Sequence, residues 1–293
     1  MQNQIHVLVP IGFSEQSFEA LEQAISFTRT IGGKITLLAV LEADSGMLSF
    51  LFSDKDKVSE AKAKVMERLQ GVIDGYKNQG VHITPEVRAG KVYDQIVQAS
   101  EDLAVDYIIM GTDGEPKGFR KKVLGSNAYR VVSMANCPVI TIGGTEQRFG
   151  IKHIMLPLDL QKETKQKVGL AVELAKKFDS TIHVVSAMDS SDEFIVNHLK
   201  RNMAQVVRHL EEKRVKHDHE LIKVLPDESV EQVLMDYAEK VKADVIVMMT
   251  QEEMGLTAHV VGSLAQKIIH HSNVPVLSVR PHSTGFVSGP IGT

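Results

Sequence analysis

The 293-residue chain carries one pattern twice. Val7-Leu8-Val9-Pro10 returns as Ile154-Met155-Leu156-Pro157, an offset of 147, and at that offset Ala24 matches Ala171 and Ile35 matches Ile182. Asp106-Tyr107-Ile108-Ile109-Met110 returns as Asp244-Val245-Ile246-Val247-Met248, an offset of 138. Gly125-Ser126 and Asn136-Cys137-Pro138-Val139 return as Gly262-Ser263 and Asn273-Val274-Pro275-Val276, an offset of 137. A chain that repeats itself at this scale folds as two like units. The falling offset makes the second copy nine residues shorter between its second and fourth strands. The surplus is assigned to the apolar loop at 43–53, with Met47, Leu48, Phe50, Leu51 and Phe52. Such a loop serves as a lid or contact surface, or else packs on its own domain.

Each copy alternates strand-like and helix-like segments. Ile5–Val9 is a short continuous apolar run, as in a strand buried on both faces. Ser14 or Ser17 is placed to cap a helix that carries Phe18, Leu21, Ile25 and Thr28 and ends at Gly32-Gly33. A strand at Ile35–Leu41 follows, then an amphipathic helix over 54–78 with Val58, Val65, Leu69, Val72 and Ile73 on its apolar side. A strand near 81–87, a helix near 92–103, strands at 106–110 and 138–142 and a helix from Ser126 complete the copy. Strands joined by helices demand a parallel sheet with right-handed crossovers, covered on both faces. The expected architecture is α/β: two tandem doubly wound domains, 1–143 and 151–281. Gly143-Gly144-Thr145-Glu146-Gln147-Arg148-Phe149-Gly150 reads as a linker. The tail at 282–293, with Gly285, Gly289, Pro290 and Gly292, has no periodicity and is expected to be mobile.

Composition narrows the function classes. The formal charge is −4, with 43% hydrophobic and 24% charged residues, so no global basic surface offers itself to nucleic acid. One cysteine, Cys137, excludes an internal disulfide framework and a cysteine-cluster metal site. No apolar run reaches the ~18 residues of a membrane helix. Met1-Gln2-Asn3-Gln4 does not open a signal peptide, and a cytoplasmic location without membrane association is expected.

The chemistry gathers after the fourth strand of copy one. Met110-Gly111-Thr112-Asp113-Gly114 is followed by ten residues and then by Gly125-Ser126-Asn127, which opens a helix. Loops at the carboxyl ends of parallel strands flank the crevice where ligands bind. Glycines let the backbone approach a ligand, and a helix start aims N–H groups at an anion. Ser126 either caps the helix or donates to a phosphate oxygen. Lys117, Arg120, Lys121 and Lys122 add cations at the same mouth, a combination suited to a di- or triphosphate. The pattern is neither Walker nor Rossmann. Spacing alone also allows glycines that merely make turns.

At these residues the chain resembles the universal stress protein family. That family's pattern is Gly-x-x-Gly, about nine residues, Gly-Ser/Thr, and a closing Cys-Pro-Val strand. Gly111 to Gly114, Gly125-Ser126 and Cys137-Pro138-Val139 stand in those places, and Val9-Pro10-Ile11-Gly12-Phe13-Ser14 resembles the family's Val-Pro-x-Asp-Phe-Ser. The resemblance covers both copies. It implies five-stranded sheets ordered 3-2-1-4-5 and domains paired through their fifth strands, so that the chain forms a pseudo-dimer within itself. It also implies ATP or a related adenine nucleotide, with or without Mg2+, held between the first and fourth strands. Val40 would then offer backbone contacts to the base, beside Gly111, Thr112, Gly114, Gly125, Ser126 and Asn127 on the phosphate side. The weaker second-copy candidates are Asp159, Ala187, Gly262 and Ser263.

Each copy departs from the pattern differently. The family's aspartate after the first strand is Gly12 in copy one and Asp159 in copy two. Copy two replaces the fourth-strand glycines by Met249 and Glu252. A methionine fills the phosphate cradle and a glutamate repels phosphate. Losing one carboxylate removes a single contact of about 1.5–3 kcal/mol, whereas losing the cradle removes the space. Copy one is therefore expected to bind nucleotide and copy two not to.

Other residues carry less. His217-Asp218-His219, His270-His271, and His198 with His209 do not converge as three or four metal donors, and no metal is expected. No Ser/His/Asp set announces itself, so no catalytic residue is assigned. Cys137 reads as buried and inert, the stretch 54–64 as a solvated helix face, and Met248, Met249 and Met254 as filler. Three readings remain: a nucleotide-binding stress regulator acting through conformation or an unidentified protein partner, an interaction scaffold with degenerate pockets that binds no nucleotide and presents surfaces to partners or to another small, apolar ligand, and a slow ATPase resting on Asp113. A homodimer of whole chains is compatible with all three.

Overall fold

The computed structural model describes residues 4–42, 55–112, 125–143, 150–158, 164–250 and 261–281. The 43–53 loop, the body of the linker and the tail fall outside the described residues, as do Asp113, Gly114, the four loop cations, Asp159, Glu252 and Met254. The chain divides into two compact units, Met1–Phe149 and Gly150–Thr293.

Domain 1 contains β1 (Ile5–Pro10), α1 (Glu15–Ile31), β2 (Gly33–Glu42), α2 (Lys55–Tyr76), β3 (His82–Gly90), α3 (Val92–Asp102), β4 (Tyr107–Gly111), α4 (Ser126–Met134) and β5 (Val139–Ile142). Its strands lie in the order β3-β2-β1-β4-β5, with neighbours parallel. Domain 2 repeats the series as β6 (His153–Pro157), α5 (Thr164–Phe178), β7 (Thr181–Met188), α6 (Glu193–Glu212), β8 (Lys216–Lys223), α7 (Val230–Lys240), β9 (Val245–Met249), α8 (Ser263–His271) and β10 (Val276–Val279). Its order, β8-β7-β6-β9-β10, is the same five-stranded topology, again parallel. This is the expected 3-2-1-4-5 doubly wound sheet in each half.

The central strands explain why the sheet is covered on both faces. Val7, Leu8 and Val9 are all fully buried, although successive side chains point to opposite sides. Ile108 in β4 and Ile154, Met155 and Leu156 in β6 are buried to the same degree. The edge helix α2 behaves differently. Leu69 and Ile73 are buried, but Val58, Val65 and Val72 are only half-buried. The helix packs over the outer strands β2 and β3, so a narrower stripe finds cover than its sequence offers.

Local signals fix the connections that position the site. Ser14, not Ser17, caps α1: its hydroxyl accepts the Ser17 N–H at 3.3 Å, and the Ser17 hydroxyl donates to the Ser14 carbonyl at 2.7 Å. The paired glycines at the other end do two different jobs. Gly32 takes the left-handed conformation, φ 77°, that closes the helix. Gly33 already belongs to β2, where an added Cβ would lie 2.6 Å from the Ile5 carbonyl oxygen.

Candidate functional site

In a parallel sheet every loop after a strand emerges on the same edge, and the crevice forms where the chain turns to opposite sides. In domain 1 that place, beyond β1 and β4, is a cavity of about 300 Å³. Its walls come from Pro10, Ile11 and Gly12 after β1, Ser14 and Ser17 at the head of α1, Leu38 and Val40 in β2, and Val92 and Ile96 in α3. Met110, Gly111 and Thr112 at the end of β4, and Gly125 to Ala128 at the head of α4, complete them. Val40, Gly111, Thr112, Gly125, Ser126 and Asn127 are thus brought around one space. The α3 contribution was not foreseen, because the face that α3 takes is set by the crossover and leaves no local mark.

Ile11, Leu38, Val40, Val92, Ile96 and Met110 give the cavity an apolar share of its lining. The head of α4 lines it as well. Ser126 is the first helical residue, and the cap is Gly125, with φ −57° and ψ 140°, so of the two roles open to Ser126 capping falls away. A glycine cap has no side chain to accept the first-turn N–H groups, whereas Ser14 does accept one at α1. The two helix heads at the cavity are therefore not equivalent, and α4 is the one open to an anion.

A small hydrogen-bonded brace holds that head in place. The Gly125 N–H donates to the Thr112 carbonyl at 2.7 Å, and the Thr112 N–H donates to the Ile142 carbonyl at 3.0 Å. The Thr112 hydroxyl and the Gln16 amide also donate to the Ile142 carbonyl, at 3.3 and 3.1 Å. Thr112 is buried, so its hydroxyl belongs to the brace as well as to the wall. Gly111 has a structural reason of its own. A Cβ there would lie 3.1 Å from Gln16 Cγ and 3.2 Å from its carbonyl oxygen, so α1 packs directly on the strand end. Gly12 is the opposite case: nothing lies within 4 Å of an added Cβ. The next residue, Phe13, has φ 60° and carries the Arg68 guanidinium 3.9 Å above its ring.

Domain 2 keeps the brace and changes the side chains. The Gly262 N–H donates to the Thr250 carbonyl at 2.7 Å, the Thr250 N–H to the Val279 carbonyl at 2.9 Å, and Gly262 caps α8. Ser263 opens that helix and is exposed, and Ala187 is half-buried near the end of β7. Met249, buried, stands where domain 1 has Gly111. Ser186 is fully buried, and its hydroxyl donates to the Leu158 carbonyl at 2.9 Å.

Among the described residues no group of three His, Cys, Asp or Glu side chains could hold a metal ion, and no helix is long and apolar enough to cross a membrane. His217 is tied to the Val215 carbonyl at 2.9 Å, His271 to Glu231 at 2.5 Å, and His198 packs against Phe194. Burial pushes the Cys137 thiol up to about 12. The residue as a whole is half-buried, not buried as expected, but a thiol so shifted gives little thiolate near pH 8, and the thiolate is the nucleophile. Iodoacetamide is therefore expected to alkylate Cys137 more than about a hundredfold more slowly in the folded protein than in denaturant. Equal rates, read by mass spectrometry, would show the thiol to be open.

Comparison with known proteins now settles the family. The universal stress protein family model matches residues 5–143 and 150–280. The chain belongs to the universal stress protein family. Universal stress protein MJ0531 of Methanocaldococcus jannaschii is 29% identical over 137 residues, spanning 46% of this chain and 80% of its own length. Universal stress protein G of Shigella flexneri is 28% identical over 140 residues, 46% of this chain and 96% of its own. These relatives thus match one half of the tandem chain. A universal stress protein from Archaeoglobus fulgidus has a crystal structure that covers 94% of this chain and 98% of its own, with a TM-score of 0.76 and 21% identity, a likeness of fold.

Proposed function

We propose that this universal stress protein is a stress-response regulator that binds an adenine nucleotide, ATP or a relative, in domain 1. It acts through conformation or partner binding rather than through metabolic turnover. One observation carries the reading: a single cavity is lined both by apolar side chains and by a helix head that has no capping side chain. A nucleotide has the same two-part chemistry, with a base for apolar contacts and phosphates for the N–H groups of Ser126, Asn127 and Ala128. Gly114 and the loop cations would extend the phosphate end by sequence. Domain 2 is assigned a structural role, because buried Met249 occupies the place of the glycine.

A second reading, a scaffold that binds no nucleotide, draws on Gly12, where the family's carboxylate is missing. The two readings separate in one experiment. Calorimetric titration of nucleotide-stripped protein with Mg-ATP is expected to show saturable binding at one site, and silence at millimolar nucleotide, where even about 4 kcal/mol would register, would leave the scaffold. Gly12→Asp sharpens the test, since the position has room for a side chain and faces the cavity. Restoring one charged acceptor is worth about 1.5–3 kcal/mol, a gain of about ten- to a hundredfold in affinity. An unchanged or weaker affinity would place the base elsewhere.

The tandem repeat supports pairing of the two domains within the chain through β5 and β10, and a cytoplasmic setting accords with the family. A hydrodynamic radius like that of two loosely tethered beads would count against the pairing.

A further inference from the structure

A chain of titratable groups crosses the first three strands of domain 2, outside the candidate nucleotide site. Asp218 of β8 places its two carboxylate oxygens 2.8 and 2.9 Å from Nδ1 of His183 in β7. Nε2 of His183 lies 2.9 Å from Nδ1 of His153, the first residue of β6. His183 is buried and His153 half-buried, while the Asp218 side chain is 57% exposed and connects the chain to solvent.

An ionised carboxylate only accepts, so Nδ1 of His183 carries its proton. With both rings neutral, bare Nε2 of His183 accepts the Nδ1–H of His153. One added proton can be held: His183 becomes a cation beside Asp218, its Nε2–H now donates, and His153 shifts its own proton to Nε2. A second proton has no place. It would put N–H against N–H and charge against charge across 2.9 Å.

We propose that the Asp218–His183–His153 chain is a proton-operated latch that joins β6 to β7, holding with up to one proton on its two rings and opening when the second arrives. Among the described residues, the neighbouring groups that the structure pairs are engaged elsewhere. From α7, the buried Tyr237 hydroxyl donates to Asp218, and burial with Asp218 and Glu220 raises its pKa, so it stays neutral. Lys240 of α7 is taken by Glu220 at 2.6 Å and lies 5.5 Å over the Tyr237 ring. On α8, which packs on α7, His271 is held by Glu231. At the strand ends Lys216 pairs with Asp179 at 2.8 Å, Lys152 donates to the Phe178 carbonyl, and Asp244 accepts the backbone N–H groups of Lys152 and His153.

Domain 1 supplies the comparison within the same molecule. The corresponding ladder positions are His6, Thr36 and Thr84, joined at 2.8 and 3.3 Å. Hydroxyls can turn to donate or accept, so this version has a single ring and no facing pair of imidazoles.

The sign follows from counting protons. Closed, the two rings hold at most one; open, they hold two, so acid favours opening, by up to about tenfold per pH unit. Amide exchange of the β6 and β7 peptides, corrected for intrinsic rates, reads this in the full-length protein between about pH 7.5 and about pH 5.5. Wild type is expected to open at least about tenfold more at the lower pH, and His183→Thr with Asp218→Thr, which installs the domain 1 residues, less than about threefold. Equal responses, or none in wild type, would overturn the latch. Should the double variant not fold, NMR titration of the two imidazoles in wild type decides. Uptake of one proton between the rings before β6 and β7 begin to exchange is expected, and full charging of both with exchange unchanged would overturn it.

Discussion

Gly125→Asp is expected to abolish Mg-ATP binding while leaving domain 1 folded and slightly more heat-stable. The backbone angles at 125, φ −57° and ψ 140°, are those of an ordinary aspartate cap. The new carboxylate would accept a first-turn N–H of α4. Relative to a glycine cap this gains a few tenths of a kcal/mol, and the charge at the helix start adds about 0.3–1 kcal/mol. The same carboxylate would occupy the donors that a phosphate needs and would repel it. Two donors at about 1.5–3 kcal/mol each give a loss of a hundredfold or more in affinity. Stability and binding therefore move in opposite directions, which a merely structural glycine would not produce. Scanning fluorimetry and calorimetry read both. A variant that binds normally would move the anion site away from α4, and one that unfolds would make Gly125 a folding residue.

Met249→Gly is expected to have the largest effect on stability. The side chain is 6% exposed at the end of β9, beside Val279 of β10. Truncating a buried methionine costs about 2–5 kcal/mol, and a glycine inside a strand adds up to about 1 kcal/mol. Against a typical total of about 5–15 kcal/mol, that is a large share of the stability of domain 2. Nucleotide binding is not expected to appear in exchange, because Glu252 remains in the following loop. Urea unfolding, followed by exchange in domain 2 peptides, measures the loss. An unchanged midpoint would mean that the methionine fills no core, and newly gained nucleotide binding would mean that it alone closes the second site.

Much of the fold was legible because parallel strands buried on both faces leave unbroken apolar runs, and because the runs repeat at nearly constant offsets. Ile5, Ile35, Tyr107 and Val139 all fall in segments expected to be strands, and the strand order followed from the family resemblance. Gly111, Gly125 and Ser126, singled out by their spacing, line one cavity. The role of Ser126 was not legible, since capping depends on one residue's backbone angles. The apolar stripe of α2 overstated burial, because sequence shows which side chains could be covered and not how far the sheet extends beneath them. The histidine chain was hidden for a different reason. His217 and His219 invite attention by adjacency, yet it is Asp218 between them that reaches His183 and, through it, His153. Those partners lie 35 and 30 residues apart, and only the register of a parallel ladder brings them together.

The brace at the head of α4 recurs at α8, carbonyl for carbonyl, although the side chains around it have diverged. Glycine followed by serine therefore marks a joint where strand, loop and helix are fastened, whatever occupies the space beyond it. A duplicated chain can keep that joint while the side chains beside it change, as Gly111 and Met249 show. In this chain the two copies part company at the tip of the fourth strand, Gly111 against Met249, and not in the dipeptide that both share.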